Sequence, residues 1–366
     1  MEFIDLKRQY QLYKNEIDRN IHQVLDKGNY IMGEEIKTLE TALAKYVGVK
    51  HCITASSGTD TLLMALMALG VGPGDEVITV SFTWISTVEV IAILGATPVL
   101  VDIEPDTYNI DIEKMEKAIT KKTKAIMPVS LFGQMPDMDK INEIAQKHNL
   151  PVIEDGAQSF GATQKGKMSC GVSIIGSTSF YPAKPLGCYG DGGALFTNDD
   201  AMAAKLRAIR THGGEQRHNH LYIGICGRFD TIQAAILLAK FPHYPKEIKD
   251  RQRVAERYTR LLHDVCDVPK IAKNNTHTYS QYTIRIPERD NVANELKSQG
   301  IPTAIYYPKC VHLQPAFEYL GYKQGSLPVS EKASTEVLSL PIHPWLTESE
   351  QDKVIAAIKE AKTANV

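Results

Sequence analysis

The stretch Pro151-Val152-Ile153-Glu154-Asp155-Gly156-Ala157-Gln158-Ser159 decides the fold. A short apolar run ends in two carboxylates and passes through a glycine into small residues, the pattern of a buried strand leaving a sheet at its carboxyl edge. Similar β-rich runs recur on both sides, at Glu76 to Val80, Thr97 to Val101, Ala125 to Ser130, Thr178 to Tyr181 and Gly193 to Thr197, besides Val152 to Asp155 itself. Helical periodicity fills the gaps, as in Thr59 to Leu69, Ile112 to Thr120 and Met138 to His148. This alternation predicts an α/β domain with a mainly parallel sheet. Ligands of such sheets gather at the carboxyl ends of strands, so Asp155 and the turn from Ser179 to Lys184 call for the closest reading.

Beyond Phe241 the pattern changes. A long charged helix over Lys246 to Leu262 is followed by a strand near Tyr279 to Ile286, a helix, a proline-rich turn and a terminal helix. The expected organisation is a large domain over residues 1–245 and a smaller α+β domain over 246–366. The 366 residues, 43% of them hydrophobic, suffice for both cores. Lys and Arg number 41 against 43 Asp and Glu, so the charge carries no footprint for nucleic acid or an anionic membrane and points to small-molecule chemistry. The start, MEFIDLKRQYQLYKNEID, lacks the apolar stretch of a secretory signal. The longest apolar segments, Leu62 to Val71 and Val88 to Val101, are broken by glycine or proline and too short to span a bilayer. A cytoplasmic protein without a membrane segment is expected. Six cysteines without CxxC spacing argue against both a disulfide framework and structural zinc.

Three segments carry chemistry. Ser56-Ser57-Gly58-Thr59-Asp60-Thr61 opens a helix after an apolar run, which converges backbone N–H groups and hydroxyls where a phosphate could sit; a plain N-cap reads the same way. Asp155 places a carboxylate at the sheet edge, fit either to pair a cationic ring nitrogen or to cap a helix. In Ser179-Phe180-Tyr181-Pro182-Ala183-Lys184-Pro185-Leu186-Gly187 a lysine stands between two prolines, ahead of Gly190-Asp191-Gly192-Gly193. Most lysines are solvated surface charges, but this rigid loop argues for a positioned amine.

Taken together, SSGTDTL, SFTWIST, EDGAQSFGA and SFYPAKPLGCYGDGGALFTND, in this order and spacing, resemble the DegT/DnrJ/EryC1/StrS family of sugar aminotransferases, fold type I enzymes that use pyridoxal 5'-phosphate. The resemblance runs from FIDLKRQY to LSLPIHPWLTE. Within the family, KPLGCYGDGGA with RFDTIQAAILLAK is most similar to UDP-2-acetamido-2-deoxy-3-oxo-glucuronate aminotransferases of bacterial surface-polysaccharide pathways. The resemblance implies that Lys184 carries the cofactor as a Schiff base and then serves as the proton-transferring base. It implies that Asp155 keeps the ring nitrogen protonated, that Gln158 contacts the ring hydroxyl and that Trp84 stacks on the ring; an aromatic beside a strand also fits plain core. Ser57, Gly58, Thr59 and Ser179 would hold the phosphate. It further implies L-glutamate as donor, a nucleotide-linked keto-sugar as acceptor and a homodimer with shared sites.

Two positions depart from the family pattern. Its Gly-x-Asn-x-Arg, in which the asparagine reaches the neighbouring subunit's cofactor, is Gly224-Ile225-Cys226-Gly227-Arg228 here, with a weaker donor at Cys226. Its His-Tyr-Pro near the substrate is Tyr306-Tyr307-Pro308. Arg228 is the candidate substrate arginine, with a structural ion pair as the alternative. His212, Arg217, His218 and His220 form a basic segment without metal-ligand spacing, better suited to a diphosphate or carboxylate. Dehydratases that resemble this family carry histidine at the lysine position, so Lys184 argues for amino transfer. An aminotransferase acting on a 4-keto or dTDP-linked sugar is the nearer alternative, and a non-catalytic ligand-binding protein of the same fold the more distant one.

Overall fold

The computed structural model describes residues 1–216 and 218–364. The chain opens with two amphipathic helices, α1 (Leu6–Lys27) and α2 (Glu34–Val47). Asp5 caps α1 by accepting from the Arg8 amide at 2.9 Å, and Gly28 closes it in the left-handed conformation at φ 66°. Strands and helices then alternate through β1 (His51–Ala55), α3 (Gly58–Ala68), β2 (Glu76–Val80), α4 (Ser86–Ile93), β3 (Thr97–Val101), α5 (Ile112–Lys117), β4 (Thr123–Ile126), α6 (Met138–Lys147) and β5 (Ile153–Asp155). A small hairpin of β6 (Thr163–Gln164) and β7 (Lys167–Met168) precedes β8 (Ile175–Ser179), β9 (Gly193–Thr197) and α7 (Asp200–Arg210).

β3, β2 and β4 run parallel, and the parallel bridges Ile126 to Val152 and Val129 to Asp155 join them to β5, which pairs with β8. The sheet order is therefore β3-β2-β4-β5-β8-β9-β1. Only β9 runs against its neighbours, pairing antiparallel with both β8 and β1. The sheet is mainly parallel, as its alternating sequence predicts. Its strands are buried on both faces. On one, Ile53, Val77, Ile153 and Leu195 pack against Leu62 and Leu66 of α3 and Leu206 of α7; on the other, Phe196 and Ala194 pack with Leu39, Phe160 and Phe180.

Two strands differ from their sequence reading at the ends. β4 stops at Ile126 rather than Ser130 because Pro128 has no N–H to continue the ladder, although its carbonyl still accepts from the Asp155 amide at 2.9 Å. β8 spans Ile175–Ser179 rather than Thr178 to Tyr181, since Tyr181 turns out to solvent ahead of Pro182.

A short hairpin of β10 (Gly214–Gln216) and β11 (Asn219–His220) leads to α8 (Thr231–Lys240), which packs on α1. The long α9 (Tyr244–Leu262) buries Tyr244, Ile248, Arg251, Val254, Ala255, Tyr258 and Leu262, a spacing of three and four that makes one helical face. Tyr244 and Ile248 lie in the core of the large sheet, whereas Val254 to Leu262 enter a second core with Tyr282 and Ile284 of β12 (Tyr282–Arg285), Val292 and Leu296 of α10 (Arg289–Ser298), Leu338 and Leu340 of β13 (Val337–Leu340), and Val354 and Ile358 of α12 (Glu348–Ala364). α11 (Pro328–Glu336) feeds β13, which pairs antiparallel with β12. Among the described residues no helix is long and apolar enough to cross a membrane. All six cysteines are free thiols.

Candidate active site

β1 ends at Ala55, and the chain turns directly into α3 with Ser57 as N-cap. The Ser57 hydroxyl accepts from the Asp60 amide at 3.0 Å and donates to the Asp60 carboxylate at 3.0 Å, so it is occupied by capping. The next two amides, of Gly58 and Thr59, open the helix and have no carbonyl one turn back to receive them. Gly58 sits against the end of β8: a Cβ there would come within 2.7 Å of the Ser179 Cβ, so only glycine allows the approach. The Thr59 hydroxyl lies 2.7 Å from that of Ser86, at the start of α4. Two backbone amides and the hydroxyls of Thr59, Ser86 and Ser179 thus surround a helix N-terminus, an arrangement suited to an anion.

Asp155 ends β5 and is 5% exposed. One carboxylate oxygen accepts from the Thr87 hydroxyl at 2.8 Å and the other from the Ala157 amide at 3.2 Å. Burial raises its carboxyl above the usual range, against the pull of those two donors and of Lys184. Lys184 stands in the loop after β8, its amide donating to the Tyr181 carbonyl at 2.8 Å. Loss of solvent pushes its amine down to about 8, opposed only by the Asp155 charge, and among the described residues no group accepts a hydrogen bond from it.

Gln158 is buried and doubly engaged, accepting from the Phe132 amide at 2.7 Å and donating to the Tyr307 hydroxyl at 2.9 Å. Burial holds that phenol well above its ordinary range. The Tyr307 ring lies 6.2 Å from the Trp84 ring and 5.8 Å from the Tyr306 ring, and Trp84 is 59% exposed. The indole is therefore not a core residue.

The segment with Cys226 is anchored from its own chain at Gly227, whose carbonyl accepts from the Ser56 amide at 3.0 Å. The Cys226 side chain is exposed, and the Arg228 guanidinium reaches its Sγ at 3.0 Å. In the basic segment the His220 ring nitrogen meets the His212 carbonyl at 2.8 Å; Arg217 lies outside the described residues. The sequence reading passed over Thr83, Ser86, Thr87 and Phe132. The hydroxyl spacing in Ser81-Phe82-Thr83-Trp84-Ile85-Ser86-Thr87 was the available signal for three of them.

The sequence model described as the DegT/DnrJ/EryC1/StrS aminotransferase family matches residues 11–359. The chain belongs to that family. It is an aminotransferase whose cofactor is pyridoxal 5'-phosphate. A UDP-2-acetamido-2-deoxy-3-oxo-D-glucuronate aminotransferase of Pseudomonas aeruginosa is 51% identical over 98% of this chain and 99% of its own. The crystal structure of a family aminotransferase from Brucella abortus superposes with a TM-score of 0.95 at 44% identity, over 98% of this chain and 99% of that one. That of ntda from Bacillus subtilis, solved with the cofactor PMP bound, gives 0.92 at 31% identity, over 99% of this chain and 85% of that one. The residues present fit such a cofactor: a cradle of amides at Gly58 and Thr59 that a Cβ would fill, an amine without an acceptor at Lys184, a buried carboxylate at Asp155 and an exposed indole at Trp84.

Proposed function

We propose that this aminotransferase moves an amino group from L-glutamate to a nucleotide-linked keto-sugar, UDP-2-acetamido-2-deoxy-3-oxo-glucuronate, in the cytoplasmic synthesis of a bacterial surface polysaccharide. The observation that carries the reading is Lys184, an amine pushed down to about 8 near a buried carboxylate and, among the described residues, without a hydrogen-bond acceptor. The likeness to the Pseudomonas aeruginosa enzyme supports the choice of sugar.

Lys184 would hold the cofactor covalently, Gly58, Thr59 and Ser179 its phosphate, Asp155 its ring nitrogen, Gln158 with Tyr307 its ring hydroxyl edge, and Trp84 one ring face. When bound, the cofactor supplies an electron sink that lets an amino acid α-proton be removed and returned elsewhere. Lys184 would take up and give back that proton on Nζ; burial pushes its free amine down to about 8, which leaves a share of free base at neutral pH. Burial raises the Asp155 carboxyl, its two donors and Lys184 pull towards the anion, and the same burial keeps water from screening its charge. Tyr306, Tyr307 and Arg228 face the acceptor side. The partner subunit completes the site in a homodimer: Cys226 is exposed, and the adjacent Leu221, Tyr222 and Ile223 are 52%, 40% and 88% exposed, an apolar run that a second copy would cover.

The test is the absorption spectrum of the purified protein before and after L-glutamate, with Lys184→Ala as control. A visible band in the wild type that glutamate converts to a near-ultraviolet one, absent from the variant, is the expected result. A band that glutamate leaves unchanged overturns the donor assignment, and turnover with dTDP-linked or 4-keto sugars alone overturns the acceptor.

A further inference from the structure

We infer that Thr87 is a positioning residue for the reaction: its hydroxyl, itself fixed by Thr83, holds the Asp155 carboxylate in the orientation the cofactor ring needs. The inference rests on the proposed role of Asp155 and adds the device that aims it.

Thr87 lies in the first turn of α4 and is 1% exposed; Thr83, in the turn before it, is 3% exposed. The two hydroxyl oxygens are 3.1 Å apart, and that of Thr87 is 2.8 Å from Asp155 Oδ2. A hydroxyl has one proton. Thr87 gives its proton to the carboxylate, so the bond between the threonines runs from Thr83 to Thr87. The order Thr83, Thr87, Asp155 is thereby fixed, with each member polarising the next. On the other oxygen the Ala157 amide completes the grip. Each carboxylate oxygen keeps a further lone pair, and the plane of the group is set by two donors from two different elements, α4 and the turn after β5.

The same turn carries Trp84. The indole platform and the donor chain to Asp155 thus come from one segment, Thr83 to Thr87, so the ring face and the ring nitrogen partner are placed together. That segment is pinned from the far side as well: the Ser81 hydroxyl meets His312 Nδ1 at 2.7 Å, the Val311 amide donates to the Ser81 carbonyl at 3.0 Å, and His312 Nε2 lies 3.1 Å from Glu331. The charged and titratable groups that act on Asp155 are Lys184, which favours its anion, with Glu154, Tyr307 and Cys170 close enough to interact with it. None of these donates a hydrogen bond to it; Thr87 and Ala157 alone do so among the described residues.

The experiment compares wild type, Thr87→Val, Thr87→Ser and Thr83→Val, each reconstituted with pyridoxal 5'-phosphate. Three readouts are taken: cofactor bound per chain, the pH titration of the visible band, and kcat against KM for the glutamate half-reaction. Loss of a buried hydrogen bond to a charged group corresponds to roughly tenfold or more in rate. Thr87→Val is expected to bind the cofactor, lose about tenfold or more in kcat with KM within about twofold, and shift the band's titration. Thr87→Ser should restore both, and Thr83→Val should move them in the same direction by less. A wild-type titration and kcat in Thr87→Val, or failure of serine to rescue, overturns the inference while leaving Asp155 and the aminotransferase reading intact. If Thr87→Val does not fold, an unaltered band in Thr83→Val overturns it instead. Absence of cofactor binding by the wild type counts against the proposed function as well, and so separates the two failures.

Discussion

Two lysines flank one loop. Lys184 stands within it, and Lys240, at the end of α8, reaches it from behind, donating from Nζ to the Gly187 carbonyl and lying 5.2 Å from the centre of the Tyr189 ring. Burial pushes both amines down to about 8. Their surroundings differ. Lys240 is 2% exposed and donates to a carbonyl, whereas Lys184 has the through-space charge of Asp155 and, among the described residues, no acceptor. A depressed pKa therefore does not by itself mark a reacting group; the proposed role of Lys184 rests on the missing acceptor and the nearby Asp155 charge as well. The Gly187 carbonyl belongs to a tight turn in which a Cβ on Gly187 would come within 2.4 Å of the Pro182 carbonyl oxygen, so Lys240 fastens a backbone that cannot be rebuilt with another residue.

The comparison breaks most easily by exchanging the two roles. Lys184→Ala is expected to lower turnover by about 10³-fold or more and to abolish the visible band, since both covalent attachment and proton transfer go with it. Lys240→Met should keep the band and lose only about 3- to 10-fold in kcat, the scale of one hydrogen bond that positions a loop. Equal losses in the two variants would erase the distinction. pH sharpens it next. Only the free amine can capture the cofactor, so the rate of reconstitution should rise with pH through about 8 and level off, where an ordinary lysine would still be rising near pH 10. Lys240 leaves its mark on stability, in holoenzyme where Lys184 would be taken up by the cofactor. Its folded pKa is below the unfolded one, so between about pH 8 and the ordinary lysine range the unfolded chain binds more protons and stability rises with pH. Denaturant titrations across that window should show the rise weakened in Lys240→Met; an unaltered slope would mean that the amine is not neutralised by folding.

How much of this was legible in the sequence follows the distance between partners. Asp155 and Lys184 each lie at or just past a strand end, and Gly58 at a helix start, so local pattern was enough to single them out. Thr87 reaches Asp155 across 68 residues, Gln158 reaches Tyr307 across 149, and Lys240 reaches Gly187 across 53. Such pairs depend on which elements the sheet order brings together, and alternation of strands and helices does not encode that order. The reversed β9 is a case in point: Gly193 to Thr197 reads as a strand, but its direction follows from how the glycine-rich loop folds back beside β8. Ser57 shows the opposite lesson. Its hydroxyl suits a phosphate on paper, yet it is spent on Asp60, while the amides behind it remain.

The smallest expected effect lies on the other side of the site, at Cys226. A thiol is a weak donor, and this one is exposed with Arg228 at 3.0 Å from its sulfur. An asparagine there would offer its carbonyl to Arg228 and keep an N–H₂ group to donate, across the subunit boundary of the proposed dimer, to the cofactor. Cys226→Asn is therefore expected to tighten cofactor retention by about threefold, the value of one modest neutral hydrogen bond. The measurement is the dissociation rate of the cofactor from the reconstituted enzyme, followed by the decay of the visible band on dilution. Unchanged or faster loss would mean that no contact is missing at this position, and that the phosphate is held by the amides of Gly58 and Thr59 and the hydroxyls around them alone.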